Sequence, residues 1–112
     1  MDLDITTSQR DARTVVHVAG EIDVYTVPAL RERLDAEIER GHHHLVVDLG
    51  GVTFMDSTGL GVLVGRLKVI RGVGGTMSLV SANDRVLKVF AITGLDKVFE
   101  IHRSVDEAVT DE

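Results

Sequence analysis

Short apolar blocks alternate along the chain with longer segments whose apolar positions return every three or four residues. Residues 3–8 and 14–19 read as two short strands, the second built on Val15, Val16 and Val18 with Thr14 and His17 interleaved. The polar stretch from Gln9 to Arg13 suits a hairpin connection between them. Val27, Leu30, Leu34 and Ile38 then recur at gaps of 3 and 4, which predicts a helix from about Val27 to Arg40. Thr26 is expected to cap it, Pro28 fits its first turn, and Gly41 ends it. Arg31, Arg33, Glu37 and Arg40 are expected on its opposite, polar face.

Leu45-Val46-Val47 with Leu49 is a nearly continuous apolar run, the pattern of a central strand buried on both faces. Gly50-Gly51 reads as a turn after it. A second helix is expected from Ser57 to about Arg71, with Leu60, Leu63, Val64, Leu67 and Ile70 on one side and Gly72, Gly74 and Gly75 stopping it. Met77, Leu79 and Val80 mark a further strand. Asn83 is placed to cap a third helix, whose apolar positions are Val86, Leu87 and Phe90, with Gly94 at its end. Val98, Phe99 and Ile101 suggest a final short strand, and Ser104-Val105-Asp106-Glu107 is a capping-box pattern opening a last short helix.

The resulting order, ββαβαβαβα, argues for an α/β fold: a mixed, mostly parallel five-stranded sheet with four helices. The first strand, tied by a short hairpin, should be its antiparallel edge. A chain of 112 residues fits one domain, taken as residues 1–112, with one modest core.

Composition narrows the function. Hydrophobic residues make up 44% and charged residues 27%, as in a soluble globular protein. The start, Met1-Asp2-Leu3-Asp4, lacks the pattern of a signal peptide, and the apolar runs are too short to span a bilayer, so a cytoplasmic protein without a membrane partner is expected. There is no cysteine, which rules out disulfides and thiolate chemistry. The formal net charge of −6, with Lys and Arg scattered, argues against direct nucleic-acid binding; a partner with a basic surface is compatible.

The most informative segment is Asp56-Ser57-Thr58-Gly59-Leu60-Gly61, where a loop enters a helix. Asp56 or Ser57 can serve as an N-cap for the free amides. An exposed hydroxyl there could also carry a phosphate, which would meet the positive end of the helix dipole. As a catalytic nucleophile Ser57 fits poorly: the nucleophile elbow needs glycine on both sides at a spacing of two, and position 55 is Met. His102 is the sole histidine that follows, and no acid-then-histidine order is convincing. Gly59, Gly61 and Gly65 miss the dinucleotide fingerprint, which wants glycine at position 64, and no Gly-Lys-Ser/Thr triplet occurs. Small residues letting the helix start approach the sheet or a partner are the simpler account.

His42-His43-His44 has no further ligand at a diagnostic spacing, so a solvated connection is expected rather than a metal site; no cofactor is implied. His17 reads as an ordinary strand residue. Asp48 ends a central strand, as a receiver's phosphoacceptor does, but no acidic pair or lysine lies where a receiver needs one. Glu21-Ile22-Asp23, with Tyr25 close behind, leaves the second strand on the sheet edge where Asp56–Gly61 also lies, the C-terminal edge at which α/β folds gather functional loops. Asp23 is either a solvated acidic turn or a neighbour of Ser57 in one site.

Four segments together carry a family resemblance. Gly20-Glu21-Ile22-Asp23 after a Val-rich strand, Leu45-Val46-Val47-Asp48-Leu49, Phe54-Met55-Asp56-Ser57-Thr58-Gly59-Leu60-Gly61 and Ile92-Thr93-Gly94-Leu95 resemble the STAS domain, and more narrowly the bacterial anti-sigma factor antagonists of the sporulation and stress-response type. The likeness covers roughly residues 2–109, and each motif is weak alone while the order and spacing are specific. It implies a sheet ordered as the strands occur in sequence, with right-handed crossovers. It also implies a non-enzymatic partner switch. The unphosphorylated protein would bind an anti-sigma factor that is also a serine kinase, freeing a sigma factor for transcription. Phosphorylation of the serine matching Ser57 would break that complex, and a metal-dependent serine phosphatase would restore it. Asp23 matches the family's acidic residue near the serine. Glu21, Asp23, Tyr25 and residues 56–61 are the expected partner surface. Two alternatives are a STAS module serving another partner-switching or stress-scaffold system, and a small enzyme that depends on Ser57.

Overall fold

The computed structural model describes residues 2–110. Its elements are β1 (Asp4–Arg10), β2 (Arg13–Ile22), α1 (Val27–Glu39), β3 (His44–Met55), α2 (Ser57–Gly72), β4 (Thr76–Val80), α3 (Asp84–Thr93), a 3-10 turn (Leu95–Lys97), β5 (Ile101–His102) and α4 (Val105–Thr110). The five strands form one sheet in the order β1-β2-β3-β4-β5. β1 is antiparallel to β2, and every later pair is parallel. This is the expected topology, with the hairpin strand at one edge.

Period-two alternation explains the layering. Val16, Val47 and Leu79 enter a large core with Leu30 and Leu34 of α1, Leu63, Leu67 and Ile70 of α2, and Val86 and Phe90 of α3. Their sequence neighbours Val15, Val46 and Val80 point the other way and meet Ala108 and Val109 of α4. Each fully buried aliphatic or aromatic side chain contributes about 1.5–3 kcal/mol of transfer free energy. Phe90 meets Phe99 edge-on at 5.9 Å and 84°, a geometry adding about 1 kcal/mol beyond burial. No helix among the described residues is long and apolar enough to cross a membrane.

The capping expectation holds for α3, and at α4 for the Ser104 half of the capping box, the Glu107 carboxylate taking the amide one residue before the N-cap. The Asn83 side chain accepts from the amides of Arg85 and Val86, and Gly94 closes α3 in the left-handed region. At α4 the Ser104 hydroxyl accepts from the Glu107 amide, while the Glu107 carboxylate reaches the Arg103 amide.

Several boundaries and roles need correction. Gly50-Gly51 is not a turn: β3 runs through both glycines to Met55. The reason is close packing, since a Cβ on Gly51 would stand 2.7 Å from the Ala19 Cβ across the β2–β3 register irregularity. Asp48 therefore sits within β3 rather than at its end. The hairpin between β1 and β2 is only Asp11 and Ala12, with Asp11 at φ 58, a conformation that Asp tolerates. β2 extends to Ile22. Thr26 stands at the N-cap of α1 but makes no side-chain cap. Glu37 is not on a solvated face: its side chain is 3% exposed and lies 2.6 Å from His42 Nδ1 and 3.5 Å from Arg40. The last strand is shorter than expected, because residues 95–97 form a 3-10 turn and Phe99 tucks into the core before β5 begins.

Candidate functional site

The site begins with strand register. β2 and β3 end together, with Ile22 paired to Met55, and the Asp56 amide donates to the Ile22 carbonyl at 3.1 Å. The loops leaving the two strands, one carrying Asp23 and the other Ser57, thus start side by side at the C-terminal edge of the sheet.

Each loop is fixed by its own acid. Asp56 has extended backbone dihedrals and caps α2: its carboxylate accepts from the Thr58 amide at 2.9 Å and also from the Thr58 hydroxyl. Asp23 accepts from the amides of Tyr25 at 2.9 Å and Thr26 at 3.0 Å. The Thr26 hydroxyl accepts from the Asp23 amide and donates to the Glu21 carbonyl at 2.8 Å, with the Asp23 carboxylate 3.3 Å away. The Thr26 amide holds the Asp23 carboxyl below its usual range; partial burial opposes this, and the Tyr25 amide and Thr26 hydroxyl add to the lowering. The turn into α1 is thus stapled by Asp23, the residue assigned either to solvent or to the site, and Thr26 serves that staple.

Ser57 is the first residue of α2, exposed, and its hydroxyl has no hydrogen-bond partner among the described residues. It sits at the positive end of a 16-residue helix, where an added anion is favoured. Thr58 is half-buried with its hydroxyl committed to Asp56. The two neighbouring hydroxyls are therefore unequal: one is free and outward, the other engaged.

The remaining expected site residues divide. Glu21 is exposed on β2 in register with Phe54, Tyr25 is 87% exposed, and Gly61 is exposed. Gly59 and Leu60 are buried. A Cβ on Gly59 would lie 2.7 Å from the Met55 side chain and 2.8 Å from Ile22. These two residues seat the first turn of α2 on the strand ends instead of presenting themselves outward. Two exposed apolar residues beside this edge, Val24 at 57% and Phe54 at 49%, were not assigned from sequence. The available signal was an apolar residue in an otherwise polar loop, and a phenylalanine directly before Met55 in the strand, where period two turns it to the face opposite that buried methionine.

Other candidates go elsewhere. His42 pairs with Glu37, and His44 meets the Thr76 hydroxyl at 3.0 Å. No group of three or more metal-binding side chains occurs among the described residues. His17 lies 2.8 Å from Asp48 and 2.9 Å from Ser8, linking β1, β2 and β3 on the sheet face that α4 covers in part.

Comparison with known proteins places these features in a family. The model of the STAS domain matches residues 3–108. The anti-sigma-B factor antagonist of Bacillus subtilis is 41% identical over 101 residues, spanning 90% of this chain and 92% of that protein. The crystal structure of an anti-sigma factor antagonist from Mycobacterium paratuberculosis superposes with a TM-score of 0.89 at 31% identity, covering 97% of this chain and 95% of that one. The anti-sigma factor antagonist SpoIIAA in its unphosphorylated form superposes with a TM-score of 0.80 at 25% identity, covering 95% and 93%. These relatives are regulatory proteins rather than enzymes.

Proposed function

The chain belongs to the STAS-domain family, among the anti-sigma factor antagonists, and we propose that it works as a phosphorylation-controlled partner switch in the cytoplasm. Unphosphorylated, it binds an anti-sigma factor that is also a serine kinase, and so releases a sigma factor. Phosphorylation at Ser57 ends the binding, and a metal-dependent serine phosphatase restores it. The partner surface comprises Glu21, Asp23, Tyr25, Asp56, Ser57, Thr58 and Gly61, with Val24 and Phe54 as apolar contacts and Gly59 and Leu60 as its support.

The observation that carries this reading is the inequality of Ser57 and Thr58: the Ser57 hydroxyl is exposed at a helix N-terminus, while the Thr58 hydroxyl donates to Asp56. A phosphate brings about −1.5 to −2 charges and three acceptor oxygens. The helix terminus offsets this within the protein, so the fold persists. At the interface the new charge meets Asp56 and Asp23, and burying it unpaired is costly. A 100-fold loss of affinity needs only about 2.7 kcal/mol.

Calorimetry of the unmodified and phosphorylated chain against the cognate kinase, with mass spectrometry to place the phosphate, tests it. Phosphate on Ser57 and a loss of about 100-fold are expected. Ser57→Ala should bind and resist release by ATP; Ser57→Asp should bind weakly. Equal affinities, or phosphate on another residue alone, would end the proposal.

A further inference from the structure

Between α1 and α2 runs a groove of about 320 Å³, lined by Arg31 of α1 and by Thr58, Gly61, Gly65 and Arg66 of α2 among others. It is continuous with the Ser57 edge through Thr58. It holds an excess of positive charge in a chain whose formal net charge is −6. Asp35 is the carboxylate that meets both guanidinium groups, at 3.4 Å from Arg66 Nε and 4.0 Å from Arg31 Nε. Arg66 is largely buried, and its Nε is shielded from solvent with no acceptor in hydrogen-bond geometry. Arg31 is mostly exposed. One acid shared by two cations leaves room for another.

The floor of the groove points the same way. Gly59 lacks a side chain because Met55 and Ile22 leave no space for one. Gly61 and Gly65 have no such reason: a Cβ on either would find no heavy atom within 4 Å. Glycine is among the poorest residues in a helix interior, and here two stand one turn apart on an open flank. Helix packing distance is set by the side chains at the contact, so this flank admits another helix at close range.

We propose that the groove takes an acidic helix of the anti-sigma factor partner, its backbone passing over Gly61 and Gly65 and a carboxylate entering between Arg31 and Arg66. This rests on the partner-switch reading and adds a second contact surface beside Ser57. The groove would contribute affinity and partner choice, and the Ser57 edge the switching.

The test is calorimetry of the full chain against the purified anti-sigma factor captured by its Ser57→Ala form. Arg31→Glu and Gly65→Leu should each weaken binding tenfold or more while thermal stability holds; Gly61→Ala should weaken it less and raise the melting temperature. Arg33→Glu, the same charge change on the α1 side away from α2, should change affinity less than twofold. If Arg31→Glu binds like Arg33→Glu and both glycine variants bind like the native chain, the groove is not a docking site, although release by Ser57 phosphate could still stand. If the native chain does not bind the anti-sigma factor, both proposals fall together.

Discussion

The two edges of the sheet treat charge in opposite ways. At the edge where β3 and β4 begin, Glu37 is sealed under α1 against His42 and Arg40. The chain there is knit across elements, with the Thr76 amide on the His43 carbonyl and the Gly75 amide on the Ile70 carbonyl, both at 2.8 Å. At the edge where β2 and β3 end, Asp23 and Asp56 hold only amides and hydroxyls within three residues of themselves, and Ser57, Tyr25 and Val24 face outward. The first arrangement spends its polar groups on the fold. The second fixes two loops locally and leaves their outer surfaces uncommitted. Substitutions at the first edge should therefore cost stability and leave binding per folded molecule intact, with the reverse at the second.

The sharpest break of that contrast is Gly75→Ala. A Cβ there would overlap the His43 carbonyl oxygen and also stand 2.9 Å from the Ile70 side chain. The obstacle is backbone and cannot rotate aside, so a loss of about 3 kcal/mol is expected, at the upper end of ordinary overpacking. Urea denaturation measures it. A native midpoint would mean that this edge is softer than its packing implies.

Next in size is Glu37→Ala. It removes a buried carboxylate and strands the partly covered His42 ring, for a loss of about 2 kcal/mol. Arg40 is 68% exposed, so Arg40→Ala should cost under about 0.5 kcal/mol. Comparable losses for the two would show that the pair, rather than the buried acid, is what matters.

Glu37 also shows where spacing and charge point in different directions. Leu30, Leu34 and Glu37 are spaced by 4 and 3, so helical periodicity is compatible with Glu37 on the buried stripe, whereas its charge points to the polar face. The order of elements along the chain, the antiparallel edge and the start of α2 at Ser57 were legible because they follow from alternation, a short hairpin and a loop-to-helix boundary, whereas the order of the strands within the sheet was implied by the family resemblance. The path of β3 was not, since Gly50-Gly51 has turn composition and only the approach of Ala19 explains it. Nor was the difference between Ser57 and Thr58 readable, because adjacent hydroxyls at a helix start look alike until Asp56 is seen to take one of them.

The smallest effect tests whether the second edge is free of structural duty. Asp23 lies next to the Ser57 loop, yet it staples the turn into α1 through the amides of Tyr25 and Thr26. Its carboxyl is held below the ordinary value of 3.8 first by the Thr26 amide. The folded state therefore binds its proton less readily than the unfolded chain does. The stabilisation is fully present above the unfolded value and fades as pH falls through the lower, folded one. Asp23→Ala should thus show a small stability deficit at neutral pH, less than that of Glu37→Ala, and the deficit should shrink toward zero in acid below pH 3.8. The same substitution should weaken binding to the anti-sigma kinase at neutral pH by a larger factor than the stability change alone explains. Urea titrations of both chains across the acid range, beside calorimetry at neutral pH, separate the two roles. A deficit that stays constant with pH would remove the carboxylate from the staple, and normal binding by the variant would leave Asp23 a purely structural residue and confine the switch surface to the α2 side.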